Sequence, residues 1–227
     1  MKQDNNEYTG NKLFNGLNGQ SLISPFESES NLYEPKIRLG ILASGKGSNL
    51  EYIIKSIQKK EINAEISILI VNNPNCLAIK KAIKYNIPYV IINHRDCQSR
   101  LEHDMLVLKK LEDLSVELIV MAGWMRIAGE ELINRYINRL INIHPSLLPS
   151  FKGIDAIQQA IDERVKITGC TVHIVEEEVD SGPILIQSAV TVESSETEIS
   201  LQKKIQKQEH KIILDAISIA GERWRLN

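Results

Sequence analysis

The run Asn142-Ile-His-Pro-Ser-Leu-Leu-Pro149 closes an apolar stretch with an amide and an imidazole one residue apart, and two prolines stiffen the exit from it. If the stretch ends a strand, alternation puts Asn142 and His144 on one face. An amide NH₂ can stabilise a developing oxyanion, and an imidazole can carry a proton near neutral pH. Pro145 and Pro149 cannot donate to a ladder and restrict the exit. The competing explanation is an ordinary histidine that finishes a strand; the neighbouring asparagine weighs against it. Asp180, in Glu176-Glu-Glu-Val-Asp-Ser-Gly-Pro183, reads either as an Asx-type turn or as the carboxylate that favours the charged form of His144. Glu176, Glu177 and Glu178 read as a solvated turn.

A second candidate is Ala43-Ser-Gly-Lys-Gly-Ser-Asn49. Gly45 and Gly47 allow amides to point at an anion, and a helix that starts there adds its dipole. The dinucleotide fingerprint fails because its third glycine position is Leu50, and no Gly-Lys-Ser/Thr stands at P-loop spacing. A phosphate site and a plain turn therefore both remain open for this loop. Trp124, Met125, Arg126 and Ile127 form an apolar lip with one strong donor, suited to a flat heterocycle. His173 lies on an alternating run and faces either the core or a ligand. His94 and His103 read as structural, and His210 sits in a helical context. Cys76, Cys97 and Cys170 show no metal or redox spacing and read as reduced thiols.

These residues need elements to position them. IRLGILA (37–43) is a short apolar run before glycine, and 48–61 carries Leu50, Ile53, Ile54 and Ile57 as a helical stripe. The strand-then-helix pattern recurs as 64–73 with 76–86, 89–93 with 99–114, and 117–123 with a helix near 129–137. A strand at 139–143 comes next. This alternation predicts an α/β fold, a Rossmann-like, mostly parallel twisted sheet flanked by helices. Later runs at 169–177 and 183–192 alternate about a tight turn and predict partly antiparallel strands. A long helix closes the chain from about 196 to 222.

The chain of 227 residues, 43% hydrophobic, suits a sizeable core, and its net charge of -2 leaves no basic excess for a nucleic-acid backbone. No window approaches the roughly 18 apolar residues of a membrane helix. Residues 1–35 are polar, lack a hydrophobic period and read as a flexible extension, the alternative being an ordered arm docked on a partner subunit; 36–227 read as a single domain. The start has neither an apolar leader core nor transit-peptide composition, which points to a cytoplasmic protein.

The strings LASGKGSNL, MAGWMRIAG, INIHPSLLPSFKG, GCTVHIVEEEVDSGPILIQ and IQKQEH, in this order, resemble the phosphoribosylglycinamide formyltransferases, folate-dependent enzymes of purine synthesis. The resemblance runs from Lys36 to the last helix. It implies a catalytic trio of Asn142, His144 and Asp180, and a phosphate loop of Gly47, Ser48 and Asn49. It also implies that Gln206 and Glu209 contact glycinamide ribonucleotide. The positions implied for folate are Arg100, the backbone of Met125, Arg126, Ile127 and Ala128, and the loop carrying Glu177, Glu178, Val179, Ser181 and Gly182. The implied reaction is direct attack of the amine on 10-formyltetrahydrofolate, the co-substrate, without a metal, giving formylglycinamide ribonucleotide and tetrahydrofolate on the way to IMP. The implied partners are those two small molecules, with neither nucleic acid nor membrane; the oligomeric state is left open. Asp155 departs from the family pattern at a substrate contact, and residues 1–35 inherit no function. Alternatives are a formyltetrahydrofolate hydrolase, which shares the trio but usually has a His-His strand exit and a regulatory domain, and a non-catalytic nucleotide-binding module. A methionyl-tRNA formyltransferase would add a C-terminal barrel.

Overall fold

A computed structural model describes Ile23–Ser24 and residues 36–225. Among these residues the strands are β1 (Ile23–Ser24), β2 (Ile37–Ala43), β3 (Ala64–Val71), β4 (Tyr89–Ile91), β5 (Leu118–Met121), β6 (Leu140–His144), β7 (Ile167–Ile174) and β8 (Ile184–Thr191). The α-helices are α1 (Ser48–Gln58), α2 (Ala78–Lys84), α3 (Arg100–Asp113), α4 (Glu130–Arg135), α5 (Ala156–Asp162) and α6 (Glu198–Arg225).

The strands form one sheet in the order β1-β8-β7-β6-β5-β2-β3-β4. β2 to β6 are mutually parallel, whereas β7 runs antiparallel to β6 and β8 antiparallel to β7, as the change of pattern after His144 predicts. β2 and β5 are buried on both faces and so read as mostly apolar runs. Ile37, Leu39 and Ile41 pack with Ile53 of α1 and Ile212, Ile213 and Ile217 of α6. On the opposite face Leu42, Ile68 and Ile70 pack with Val107, Leu108 and Leu111 of α3 and Leu132 of α4. Gly40 is the close approach on that side: a Cβ there would lie 2.5 Å from the Leu111 side chain.

The chain moves outward in one direction from β2 to β3 and β4, then returns to β2's other side with β5 and β6. The loops after β2 and β5 diverge at this point, and open α/β sheets bind ligands in such a crevice. A bond from Ser44 N–H to the Gly123 carbonyl, 2.9 Å, ties the two loops at their base.

Two elements depart from the sequence reading. Helix α5 is not expected from the sequence, because its seven residues show only a short stripe and Asp155 at its start makes no side-chain cap. Ile23–Ser24, inside the stretch read as a flexible extension, form a two-residue strand antiparallel to β8, and Ile23 packs against the core. The unpaired edge of β8 supplies the backbone partners that hold so short a strand. The remainder of that segment lies outside the described residues.

Candidate active site

Asn142 and His144 occupy the carboxyl end of β6, and their side chains share one face, since Ile141 and Ile143 between and beside them point into the α1/α6 core. The antiparallel register then sets Asn142 opposite His173 and His144 opposite Thr171. Four polar side chains thereby meet on one face across two strands. His173 and Thr171 are buried there, as is His144.

Asp180 arrives from the β7–β8 connection in the left-handed region, φ 49°, a conformation that aspartate tolerates better than most residues. Its Oδ2 accepts from Gly153 N–H at 2.8 Å and lies 3.3 Å from His144 Nδ1. Its Oδ1 lies 3.3 Å from Asn142 Nδ2 and 3.6 Å from His173 Nε2. A carboxylate can only accept, which fixes the Asn142 amide with its NH₂ toward Asp180; the same NH₂ lies 3.3 Å from His173 Nε2. His173 Nδ1 donates to the Ile174 carbonyl at 2.7 Å, which leaves Nε2 to face this cluster. His144 Nε2 meets the Phe151 carbonyl at 2.8 Å, so both nitrogens of that ring face acceptors, an arrangement that only an imidazolium fully satisfies. Burial alone would raise Asp180, but the His173 bond, the Gly153 amide and the charge of His144 outweigh it and hold the carboxyl below its ordinary value.

The exit loop is anchored through Thr171. Its hydroxyl donates to the Ser146 carbonyl at 2.7 Å and accepts from Leu148 N–H at 3.1 Å and from Gln187 Nε2 at 2.9 Å. Gln187 also bonds the Leu148 carbonyl at 3.0 Å. The prolines are thus backed by side-chain bonds from β7 and β8.

These groups open onto a cleft of about 640 Å³ at the carboxyl edge of the sheet. Gly47, Ser48 and Asn49 line one part of it, and α6 reaches over them. Gln206 Nε2 donates to Ser48 Oγ at 2.8 Å, and Asn49 Nδ2 donates to Glu209 Oε2 at 3.1 Å. Burial pushes the Glu209 carboxyl up, offset in part by the Asn49 amide. Met125, Arg126, Ile127 and Ala128 line another part, facing Glu177, Glu178 and Val179. Met125 N–H is held by Ser44 Oγ at 2.9 Å. Asp155 lines the cleft as well, with φ 56°.

Three expected positions stand apart from the lining. Arg100 is exposed at the start of α3, beside Gly129. Ser181 and Gly182 face a shallower depression near Ile133 and Ile174, because Gly182 packs its backbone against the Ile174 carbonyl. Trp124, expected in the lip, lines the cleft but is itself buried and stacks on His103 with ring centroids 5.9 Å apart. His103 bonds the Ile92 carbonyl and faces Asp104, whose other oxygen accepts from Gly129 N–H at 2.7 Å. The two residues that the sequence leaves unassigned and the geometry brings in are His173 and Thr171. Their spacing of two on an alternating strand, matched to Asn142 and His144, is the signal that could have found them.

The fold is shared with known proteins. The family model described as formyl transferase matches residues 37–217. The chain is 36% identical over 174 residues to the phosphoribosylglycinamide formyltransferase of Bacillus subtilis, covering 77% of this chain and 89% of that protein. It is 38% identical over 215 residues to the human trifunctional purine biosynthetic protein adenosine-3, covering 95% of this chain but only 20%, about a fifth, of that longer protein. The solved glycinamide ribonucleotide transformylase 1 of Symbiobacterium toebii superposes with a TM-score of 0.82 at 34% identity, over 84% of this chain and 91% of that one. With a model match that spans the whole sheet from β2 to β8 and most of α6, the chain belongs to the formyl transferase family.

Proposed function

We propose that this chain transfers the formyl group of 10-formyltetrahydrofolate to the amine of glycinamide ribonucleotide, a step of purine synthesis. The observation that carries the reading is the convergence of Asn142, His144 and Asp180 within 3.3 Å contacts at the floor of a cleft whose other wall is the glycine loop. The names of the Bacillus and Symbiobacterium relatives support the choice of substrates.

The residues fit both molecules. Amides of Gly47, Ser48 and Asn49, at the start of an eleven-residue helix, suit a ribose phosphate. Gln206 and Glu209 lie beside them for the rest of the ribonucleotide. The apolar Met125, Ile127 and Val179 with nearby backbone groups suit a pterin, and Arg126, with Arg100 farther out, suits a carboxylate-bearing tail. Ser181 and Gly182 shape the pterin loop from behind.

In the reaction the amine nitrogen bonds to the formyl carbon, the bond from that carbon to the folate nitrogen breaks, and a proton passes from amine to leaving nitrogen. The Asn142 amide and the charged His144 stabilise the oxygen as it becomes anionic. Substrate oxygen takes the place of the Phe151 carbonyl at His144 Nε2, and one Asn142 hydrogen turns from its partners at Asp180 and His173. Asp180 keeps His144 oriented and charged and relays the proton through water. Residues 36–227 act as one catalytic domain, and 1–35 take no part in transfer. A cytoplasmic setting belongs to the same reading, supported by the free thiols of Cys76, Cys97 and Cys170.

The test is substitution at the trio with folding checked by circular dichroism. His144→Ala should lower turnover by about 10²–10⁴ and Asn142→Ala by about 10²–10³. Near-normal rates in either folded variant would remove that residue from the chemistry.

A further inference from the structure

Behind the glycine loop lies a charged cluster that the transfer chemistry leaves unused. Lys81 of α2 places Nζ 3.1 Å from the Gly47 carbonyl and 2.8 Å from Glu51 Oε2. Glu51, in the first turn of α1, also accepts from Tyr85 Oη at 2.9 Å and pairs with Lys55 at 2.9 Å. Lys81 first, then Lys55 and Tyr85, hold the Glu51 carboxyl down to about 2.

The approach to α2 binds the same loop at a second point. Ala78 N–H donates to the Gly45 carbonyl at 3.1 Å, and Cys76 Sγ lies 3.1 Å from that oxygen. Gly47 has φ 67°, and a Cβ added there would come within 2.7 Å of Ala78 Cβ. The Gly47 carbonyl also accepts from Glu51 N–H at 3.0 Å, the first bond of α1, so Lys81 is its second donor; with the Gly45 carbonyl it fixes the loop against α2 at a contact too close for any side chain. In a trans peptide plane the following N–H points the opposite way. The Lys46 and Ser48 amides accordingly face away from α2, and both residues line the cleft.

We infer that Lys81 is a positioning residue for the phosphate subsite: by joining the Glu51 amide at the Gly47 carbonyl it fixes the aim of the Ser48 amide, and with it the first turn of α1, at the phosphate of the bound substrate. This rests on the phosphate-loop role proposed for Gly47, Ser48 and Asn49. The charge of Lys81 is already matched by Glu51, so its role is geometric. A guanidinium at this position can reach the same two acceptors, whereas an apolar side chain cannot.

The experiment titrates the full chain with inorganic phosphate and with glycinamide ribonucleotide, following the amide resonances of Gly47, Ser48 and Asn49, alongside steady-state kinetics. Lys81→Met should weaken both ligands roughly tenfold, the scale of one charge-assisted bond. Turnover at saturation and the KM for 10-formyltetrahydrofolate should stay unchanged, Lys81→Arg should recover most of the loss, and glycinamide riboside, which lacks the phosphate, should bind wild type and variant alike. Glu51→Gln, which leaves the bond to Gly47 in place, should keep most of the phosphate affinity. Unchanged phosphate titration in Lys81→Met would overturn the inference. So would an equal loss for the riboside, an equal loss in Glu51→Gln, or a joint fall in turnover and both KM values. If Lys81→Met does not fold, the titration is read on Lys81→Gln against Lys81→Arg with the same expectations. A wild-type chain that binds phosphate at these amides yet transfers no formyl group would remove the proposed function and leave the clamp standing.

Discussion

Asn142, His144, His173 and Asp180 satisfy one another, and this explains how such polar groups are tolerated beside the core. Strand alternation in the sequence is enough to pair Asn142 with His144. It cannot place His173, because that depends on the register of β6 against β7, nor Asp180, because a loop residue thirty-odd positions away has no periodicity to read. Glu209 offers a test at this scale. Its folded value is raised by burial, so the folded chain keeps a proton over a range where the unfolded chain has lost it. The associated stability is fully present below the unfolded value of about 4.3 and falls as pH rises through the folded value. Glu209→Gln removes this contribution: its denaturant-unfolding stability, measured from about pH 4 to 8, should fall less with pH than that of wild type. Parallel curves would show that the carboxyl is not held in its protonated form.

At the scale of elements, the alternating strand and helix patterns locate β2 to β8 and five of the helices to within a few residues, because each carries its own period and sits between turn residues. Helix α5 escapes because a seven-residue element shows barely two turns of stripe. β1 escapes because two residues carry no period at all; their strand character comes entirely from the β8 edge. The antiparallel pair that carries His173 depends on Gly169, where a Cβ would lie 1.9 Å from the Ser188 carbonyl. A backbone oxygen cannot yield as a side chain does, so Gly169→Ala forces β7 and β8 apart. The expected cost is at least the roughly 1–3 kcal/mol of core overpacking, read as a lower urea midpoint. An unshifted midpoint would mean that the two strands separate freely.

At the scale of the molecule, the sheet order puts the diverging loops after β2 and β5, the end of β6 and the overhang of α6 around one cleft. The glycine loop read alone is ambiguous between a phosphate cradle and a plain turn, and Gln206 and Glu209 reach it only because α6 folds over the cleft. The same cleft would also suit a hydrolase that releases formate with water as acceptor, so the proposed function turns on the amine substrate being the acceptor. It is tested most directly by following tetrahydrofolate release from 10-formyltetrahydrofolate with and without glycinamide ribonucleotide. Release should depend on the ribonucleotide and yield one formylated ribonucleotide per tetrahydrofolate. Equally fast release of formate without the ribonucleotide would contradict it.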